Sequence, residues 1–395
     1  MISKLSLELV NHYEITVVIY NDIDKVVFPY KGTLIKIKLP YLKNTAENSF
    51  YARAIRFFYL IRSLRKIKKE RKIDVSISFM EASNFVNILS RRKDKVILSV
   101  RSYLSHEMKD IKRIRMFKYL VKLLYNKSDK IVVPAKLATY DLTQNFGVKQ
   151  DLMKVIYNFI DIDSLNKETA SKSLFPFETI DGPVLINIGR LNEVKKQFLF
   201  LPVLKKVKET IPSVKLVILG EGPLKQKMIE IAKTLGLSVY DNDVNHSETY
   251  PESIKSFDVF LLGFQKDVYP YLKKSDLFVL TSLYEGFPNV MIEAMASGLP
   301  VISSDCPSGP REILAPETSI TKIADSIEYG SFGVLLPMLQ ENSDSHDTID
   351  LWAKAIVEML SQNEKYSLYS GKSKLRSDDF DRKTIIKQWI GLIEE

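Results

Sequence analysis

The sequence predicts an α/β protein built from two doubly wound halves, and three observations lead to this prediction. Its 395 residues exceed what one hydrophobic core usually organises, so two domains are expected. In both halves, short apolar runs rich in β-branched residues alternate with longer amphipathic stretches, which is the pattern of β-α-β units and a mainly parallel sheet. No internal repeat appears, which argues against a solenoid.

The first half begins with MISKLSLELVNHYE, which is predicted to form an amphipathic helix. Four buried strands and two long helices are predicted after it. The strands are predicted at 15–20, 73–79, 95–100 and 130–134, and the helices at 49–72 and 112–127.

Segment 158–182 is polar and loses this periodicity, so we interpret it as the linker between the domains. A second alternating series follows, and its strands are separated by helical stretches. The predicted strands are PVLINIG, VKLVILG, VFLLG, LFVLTS and LPVISS. The polar stretch 238–258 interrupts the series and is predicted to be an exposed insertion.

Composition restricts the class of protein. No apolar run is long enough to span a bilayer, and the start lacks the pattern of a secretory signal, so a cytoplasmic protein is expected. Cys306 is the one cysteine and cannot form an internal disulfide. The four histidines lie far apart without ligand spacing, so no metal site is expected.

The net charge of +9 is unevenly divided. Residues 1–160 contain 31 Lys and Arg against 14 Asp and Glu, whereas the remainder contains 26 against 34. A basic half of this kind indicates a polyanionic partner, which could be nucleic acid, anionic lipid or a diphosphate-bearing substrate. Nucleic acid has no support beyond charge, because no recognition motif or zinc spacing appears.

The most informative segment is SLYEGFPNVMIEAMASGLPVISSDCPSGPREIL, residues 282–314. It follows a predicted strand, turns, and begins a helix near Asn289, which is the expected N-cap. Main-chain N–H groups and the helix dipole make such a turn an anion site that suits a diphosphate. Glu285 and Glu293 could both accept hydrogen bonds from hydroxyls of the same ligand. Taken alone, Glu285 is equally typical of an ordinary turn, and Glu293 is equally typical of a solvated helix face.

Two other predicted strand ends carry related features. Gly189 and Arg190 end one strand, and Lys195 follows, so a permanent guanidinium charge and a lysine could neutralise a leaving diphosphate. The segment VILGEGP ends another strand with Gly220 and Gly222, where the main chain can approach a ligand closely. Each feature alone is also typical of a surface turn.

In this order and spacing, the three segments resemble glycosyltransferase family 4, the group 1 glycosyltransferases, over nearly the whole chain. The resemblance implies a GT-B fold, with two Rossmann-like domains facing a cleft. It also implies a nucleotide-sugar donor and transfer with retention of anomeric configuration. It implies no required metal or other cofactor. The segment SDCPSGPREIL is similar to enzymes that use UDP-linked hexoses or N-acetylhexosamines. The implied acceptor is lipid-linked or a polysaccharide, in capsule, O-antigen or lipopolysaccharide synthesis.

The resemblance also implies roles for individual residues. Arg190 and Lys195 would stabilise the departing diphosphate, Glu285 would lie by the donor sugar, and Glu293 would bind the ribose. Arg101 stands near a position where many members have a histidine, and it could contact a phosphate of the donor or acceptor. The other implied donor-binding residues are Gly286, Phe287, Pro288, Asn289, Val290, Gly220, Gly222, Phe264 and Gln265.

One departure from the family concerns the start. The family normally opens with a strand and a glycine-rich turn, whereas this sequence begins inside the first helix. We therefore expect the N-terminal domain to lack its first strand, with a gap in its sheet, and hypothesise either a longer native start or an impaired product. The predicted domains are 1–160 for the acceptor, 161–375 for the nucleotide sugar, and a C-terminal helix at 376–395 that crosses back to the N-terminal domain.

The basic helices of the N-terminal half predict peripheral binding at the inner face of the plasma membrane. Other functions stay open, namely an epimerase or phosphorylase of the same fold, or a non-catalytic nucleotide-sugar-binding protein. A metal-dependent transferase of the other common fold would need Asp-x-Asp at a strand end. Its instances at 22–24, 161–163 and 241–243 are expected in loops.

Overall fold

The structure is a computed structural model, and the chain in it divides into two compact units. The first unit comprises Met1–Asn158 and Lys383–Glu395, and the second comprises Phe159–Arg382. Most of the predicted linker lies outside the described residues. The residues that the structure describes are 1–20, 29–40, 49–107, 111–162, 177, 180–245, 252–341 and 345–395.

Up to residue 158, each predicted strand and helix is present, with bounds that differ by a few residues. Strands β2 and β6 and helices α3, α4 and α6 have no counterpart in the prediction. The strands are β1 (Thr16–Ile19), β2 (Thr33–Lys36), β3 (Val75–Phe79), β4 (Lys95–Ser99), β5 (Lys130–Val133) and β6 (Met153–Val155). The helices are α1 (Ile2–Leu9), α2 (Phe50–Glu70), α3 (Glu81–Leu89), α4 (Leu104–Glu107), α5 (Ile111–Tyr125) and α6 (Lys136–Phe146).

The strands of the first unit form two separate parallel sheets. Strands β3 to β6 are paired in chain order, whereas β1 and β2 pair only with each other among the residues that the structure describes. A cavity of about 270 Å³ is lined by residues of both β1 and β3. That this cavity corresponds to the expected gap stays a prediction.

From residue 180 onward, all five predicted strands are confirmed, as β7, β8, β10, β11 and β12. The strands are β7 (Val184–Ile188), β8 (Lys215–Leu219), β9 (Val239–Asp241), β10 (Val259–Leu261), β11 (Leu277–Leu280), β12 (Val301–Ser304), β13 (Glu328–Tyr329) and β14 (Val334–Leu336). The helices are α7 (Phe200–Thr210), α8 (Lys225–Thr234), α9 (Asn242–Asn245), α10 (Tyr269–Lys273), α11 (Asn289–Ala296), α12 (Pro310–Leu314), α13 (Ser345–Ser361), α14 (Asn363–Ser377) and α15 (Arg382–Glu394).

The sheet of the second unit has the order β13-β14-β12-β11-β7-β8-β10-β9 and is parallel except for β13. Strand β7 is central. The chain first builds outward from it through β8 and later returns to its other side with β11. The strand order therefore reverses between β7 and β11, and the carboxyl ends of these strands are where a doubly wound sheet binds ligands.

The predicted exposed insertion at 238–258 is wrong for the part that the structure describes. Strand β9 within it pairs in parallel with β10. Tyr240 is buried, and its ring lies 5.7 Å from that of Phe257 and 5.9 Å from that of Phe260. The flanking polar residues conceal this short edge strand from a pattern-based prediction. Residues 246–251 lie outside the described part of the chain.

The C-terminal helix α15 packs within the first unit. Trp389 is fully buried, and its ring lies 6.4 Å from that of Phe79 at the end of β3. The Nζ of Lys95, which begins β4, donates to the carbonyl of Leu392 at 2.7 Å. Both ends of the chain thus contribute to the same unit.

Candidate active site

Hydrogen bonds join the loops that follow β7 and β11 at the point where the strand order reverses. The N–H of Leu283 donates to the carbonyl of Val194 at 2.8 Å. The hydroxyl of Thr281 donates to the carbonyl of Lys195 at 2.7 Å. These two loops therefore form one surface at the edge of the sheet where a ligand is expected.

A lysine–glutamate pair lies at the centre of this surface. Lys195 Nζ is 2.5 Å from Glu285 Oε1, and the hydroxyl of Ser282 donates to the same oxygen at 2.6 Å. Glu285 is only 9% exposed, so its charge needs these partners. Asn192 Oδ1 accepts the N–H groups of Val194 and Lys195, which fixes the lysine loop. The pair is preorganised beside the turn at Gly286.

Arg190 lies in the same loop as Lys195, directly after β7. Its side chain is exposed, and its guanidinium makes no hydrogen bond or ion pair to any residue that the structure describes. Its carbonyl accepts from the Nε2 of Gln197 at 3.2 Å. A Cβ on Gly189 would lie 3.5 Å from Lys195 Cδ, so the loop folds back on itself. The main chain next to Arg190 therefore lies against the Lys195 side chain.

The turn after Glu285 leads into α11, which begins at Asn289 as predicted. The predicted N-cap is wrong by one residue. Pro288 occupies the cap position, with ψ of 87°, and no side chain caps the helix. The hydroxyl of Ser308 donates to the carbonyl of Gly286 at 3.0 Å and holds the turn. The first N–H groups of α11, from Asn289 and Val290, have no intrahelical acceptor and carry the positive end of the dipole.

Phe287 and Pro288 direct their side chains into the interior of the unit. Phe287 is buried, and its ring lies 5.5 Å from that of Phe380 in an edge-on arrangement. A Cβ on Gly309 would lie 2.4 Å from Pro288 Cδ. These two residues can therefore present only main-chain atoms to a ligand.

Gly220 and Gly222, after β8, lie against the loop that carries Arg190. A Cβ on Gly220 would lie 2.0 Å from the carbonyl oxygen of Gly189, and one on Gly222 would lie 2.2 Å from that of Leu191. Gly220 also has φ of 144°, which disfavours other residues. These glycines therefore allow the main chain at Gly189 and Leu191 to approach closely. Binding of the donor by them stays a prediction.

The candidate base-site residues lie after β10, at the same edge of the sheet. Phe264 is 62% exposed, and its N–H donates to Glu221 Oε1 at 3.2 Å. The side chain of Gln265 donates to the carbonyl of Leu262. Glu293, in α11, is partly buried. Burial, and then the Glu293 carboxylate, raise the pKa of Tyr269.

Arg101 lies in the first unit, after β4. Its Nη2 donates to Asn158 Oδ1, and its Nη1 is buried with no hydrogen-bond partner in the described part of the chain. Burial lowers the pKa of Arg101 to about 10, so the guanidinium remains charged at neutral pH. A buried charged donor without an acceptor is suited to an anionic ligand.

The structure adds three residues that the sequence prediction omits. Ser282 and Asn192 hold the lysine–glutamate pair and its loop, and Cys306 lies beside it. Burial, and then the charge of Glu285, raise the pKa of the Cys306 thiol, so the thiol stays protonated. Ser282 could have been found, because a small polar residue at the end of a fully buried strand is unusual.

Among the described residues, no group of three or more His, Cys, Asp or Glu side chains could hold a metal ion. The Asp-x-Asp at 241–243 was expected to lie in a loop. This expectation is wrong, because Asp241 ends β9. Lys225 Nζ lies 2.5 Å from Asp241 and 2.6 Å from Asp243, so both carboxylates are paired with a lysine. Residues 22–24 and Asp163 lie outside the described part of the chain.

Comparisons with known proteins show the family. The family model for group 1 glycosyl transferases matches residues 182–329, and the model for glycosyltransferase family 4 matches residues 2–164. An uncharacterised glycosyltransferase of Methanocaldococcus jannaschii is 32% identical over 355 residues, which cover 83% of this chain and 81% of that protein. This chain belongs to the family 4 (group 1) glycosyltransferases.

Another relative of this glycosyltransferase is N-acetylgalactosamine-N,N'-diacetylbacillosaminyl-diphospho-undecaprenol 4-alpha-N-acetylgalactosaminyltransferase of Campylobacter jejuni. It is 26% identical over 333 residues, with 83% of this chain and 78% of that protein covered. Among solved structures, HepE of Anabaena in complex with UDP superimposes with a TM-score of 0.68 at 18% identity, covering 92% of this chain and 86% of that one. The glycosyltransferase has the GT-B fold that its sequence predicts.

Proposed function

We propose that this glycosyltransferase transfers a hexose or N-acetylhexosamine from a UDP-sugar, with retention of anomeric configuration, to a lipid-linked or polysaccharide acceptor. The observation that carries the proposal is the preorganised Lys195–Glu285 pair, which joins the loop that carries Arg190 to the turn that begins at Gly286. These groups share the edge where the order of the second sheet reverses.

The charges of these groups suit the departure of a diphosphate. When the bond between the anomeric carbon and the diphosphate oxygen breaks, negative charge develops on the phosphate. Arg190, Lys195 and the first N–H groups of α11 are positive groups that can accept this charge. Glu285, held by Lys195 and Ser282, would accept hydrogen bonds from the donor sugar. Glu293 would bind the ribose, and Phe264 and Gln265 would contact the base.

Support for the donor and the acceptor comes from the relatives. HepE was crystallised with UDP, and the name of the Campylobacter jejuni enzyme describes transfer to a sugar on a diphospho-undecaprenol. For this chain we propose the same chemical classes, UDP-sugar and lipid-linked diphosphate. Arg101, with a buried and unsatisfied Nη1, would bind a phosphate of the acceptor. The first unit would then be the acceptor domain and the second unit the donor domain.

A membrane-borne acceptor requires contact with a bilayer. The helices that the structure describes are too short or too polar to cross one. Helix α5 instead exposes an apolar stripe of Met116, Tyr119 and Leu123, on a helix that also carries Arg115 and Lys122. Within the strongly basic segment 1–160, this arrangement supports peripheral binding to the anionic inner face of the plasma membrane.

The test is a panel of nucleotide sugars with the purified chain and a polyprenyl-diphosphate-linked sugar as acceptor. We expect transfer from a UDP-sugar, with the new linkage having the anomeric configuration of the donor when examined by NMR. Arg190→Ala and Glu285→Ala should abolish transfer. Since Arg190 is exposed and unpaired, Arg190→Ala should not lower thermal stability.

The alternatives give different results in the same assay. A sugar-nucleotide epimerase would convert its sugar nucleotide without an acceptor. A non-catalytic nucleotide-sugar-binding protein would show a thermal shift with the donor, about 2.7 kcal/mol at 100 times its Kd, but no turnover with any acceptor. Inversion of the anomeric configuration would contradict the retaining mechanism.

A further inference from the structure

The loop that follows β12 contains two consecutive residues with left-handed main-chain angles. Ser308 has φ of 68°, and Gly309, directly before α12, has φ of 104°. Glycine adopts a positive φ without strain, whereas a serine in this region is uncommon and strained. Ser308 is also almost fully buried, at 2% exposure. Strained residues of this kind persist where the surrounding structure fixes them, and they cluster at functional sites.

A buried ion pair holds this loop from the side of α12. The Nε of Arg311 donates to both carboxylate oxygens of Asp305, at 3.1 Å and 3.2 Å, and both side chains are at most 5% exposed. The N–H of Ala324 donates to Asp305 Oδ2 at 2.6 Å, and Arg311 Nη1 donates to Glu328 at 2.9 Å. Both ends of the loop are therefore fixed, and Ser308 lies between them.

On its other side, the loop contacts the turn that leads into α11. The N–H of Glu285 donates to the carbonyl of Pro307 at 3.1 Å. The hydroxyl of Ser308 donates to the carbonyl of Gly286 at 3.0 Å. Two consecutive residues of the loop therefore bind two consecutive residues of the turn.

The hydrogen bond from Ser308 determines which way the next N–H group of the turn points. A peptide unit is planar and trans, so its C=O and N–H groups point in opposite directions. The carbonyl of Gly286 points towards Ser308, so the N–H of Phe287, in the same peptide unit, points away from the loop after β12. The Phe287 side chain is buried against Phe380, which leaves main-chain atoms for a ligand. A reversed peptide would present the Gly286 carbonyl, with its partial negative charge, in place of this N–H.

We propose that Ser308 is a positioning residue of the donor site, which holds the Gly286–Phe287 peptide with its N–H group towards the diphosphate. This inference rests on the proposed binding of a UDP-sugar at the Gly286 turn, and it adds the group that sets the polarity of that turn. Ser308 acts through Gly286 and needs no contact of its own with the donor. Without the hydroxyl, the peptide can rotate, and its carbonyl would then repel the phosphate.

The experiment measures UDP binding by calorimetry, and Tm, for the full chain and three variants. Ser308→Gly and Ser308→Ala both remove the hydroxyl, but only glycine relieves the strain at a φ of 68°. Ser370→Ala is the matched control, because the Ser370 hydroxyl donates to the carbonyl of Gly298 at 2.7 Å, just beyond the other end of α11. We expect Ser308→Ala to lower Tm by about 2–4 °C and Ser308→Gly to leave Tm within about 2 °C of the wild type.

Both Ser308 variants should bind UDP at least tenfold more weakly than the wild type, whereas Ser370→Ala should bind UDP like the wild type. The affinity would then follow the hydroxyl and not the stability of the fold. Ser308→Gly with the UDP affinity of the wild type would overturn the proposal. An equal loss of affinity in Ser370→Ala would also overturn it, because any lost hydrogen bond near α11 would then have the same effect. UDP binding needs no acceptor, so failure of this proposal is distinguishable from failure of the proposed transfer.

Discussion

Lys195 Nζ lies 2.5 Å from Glu285 Oε1, although 90 residues of sequence separate them. The lysine lies in the loop after β7 and the glutamate in the turn after β11, so the pair joins the two strand ends at which the sheet reverses its order. The Glu285 side chain is 10% exposed and that of Lys195 is 22% exposed. Removal of either partner would leave a charge with little solvent to stabilise it.

The first prediction concerns Lys195. Lys195→Met should lower kcat about 100-fold or more, because it removes a preorganised cation from the diphosphate and leaves Glu285 without its ionic partner. Steady-state transfer assays measure this effect. The matched control is Lys196→Met, since Lys196 pairs instead with Glu193 and Glu341 at the surface. A Lys195→Met enzyme as active as the control would contradict the assigned role.

The second prediction concerns Gly220. Gly220→Ala should destabilise the second unit by about 2 kcal/mol or more, because its Cβ would lie 2.0 Å from the Gly189 carbonyl and its φ is 144°. Urea denaturation measures the loss. Gly371→Ala is the control, since this glycine is exposed in α14 with no atom within 4 Å of an added Cβ. The control should gain about 0.5–1 kcal/mol. Equal changes in the free energy of unfolding for the two substitutions would contradict this prediction, because they would show that the Gly189 loop moves aside with no loss of stability.

The third prediction concerns stability in acid. Hydrogen bonds from Arg311, and an ion pair with Lys322, lower the pKa of Glu328 from 4.5 to about 2. A carboxylate with a lowered pKa stabilises the fold above its ordinary pKa, and this stabilisation is lost as the pH falls towards 2. The contribution is about 3 kcal/mol. Chemical denaturation between pH 5 and pH 2 should therefore show a steeper loss for the wild type than for Glu328→Gln. Parallel curves would contradict the prediction.

Much of the second sheet could be predicted from the sequence, because β7, β8, β11 and β12 are fully buried runs of mainly apolar residues with clear ends. The short edge strand β9 could not, since polar residues flank it on both sides. The loops that carry Arg190 and Glu285 could be located at strand ends. Their contact through Lys195 could not, because it depends on β11 returning beside β7, which local sequence does not encode.

Around Gly286, the sequence predicts the secondary structure but not the side-chain contacts. The helix start at Asn289 is evident from the sequence. The burial of Phe287 against Phe380 is not evident, because Phe380 lies more than 90 residues later and joins the site only through tertiary packing. Similarly, Gly220 is recognisable as a place of close approach, but the sequence does not reveal that the approaching group is the carbonyl of Gly189.

The fourth prediction concerns the membrane. Tyr119→Glu should weaken binding to vesicles that contain anionic lipid by at least tenfold, because it places a negative charge in the exposed stripe of α5. Co-sedimentation measures the bound fraction. Tyr140→Glu, at an exposed tyrosine on α6, is the control and should bind like the wild type. Equal binding of wild type to neutral and anionic vesicles would contradict the electrostatic part of the account.

A crystal structure of the chain with UDP would show whether the loops after β7 and β11 hold the diphosphate of a UDP-sugar. We expect a β-phosphate within hydrogen-bond distance of Arg190 or Lys195 and of an N–H group in the Gly286–Val290 turn. A nucleotide bound elsewhere, or one whose phosphates contact neither the cations nor this turn, would contradict it.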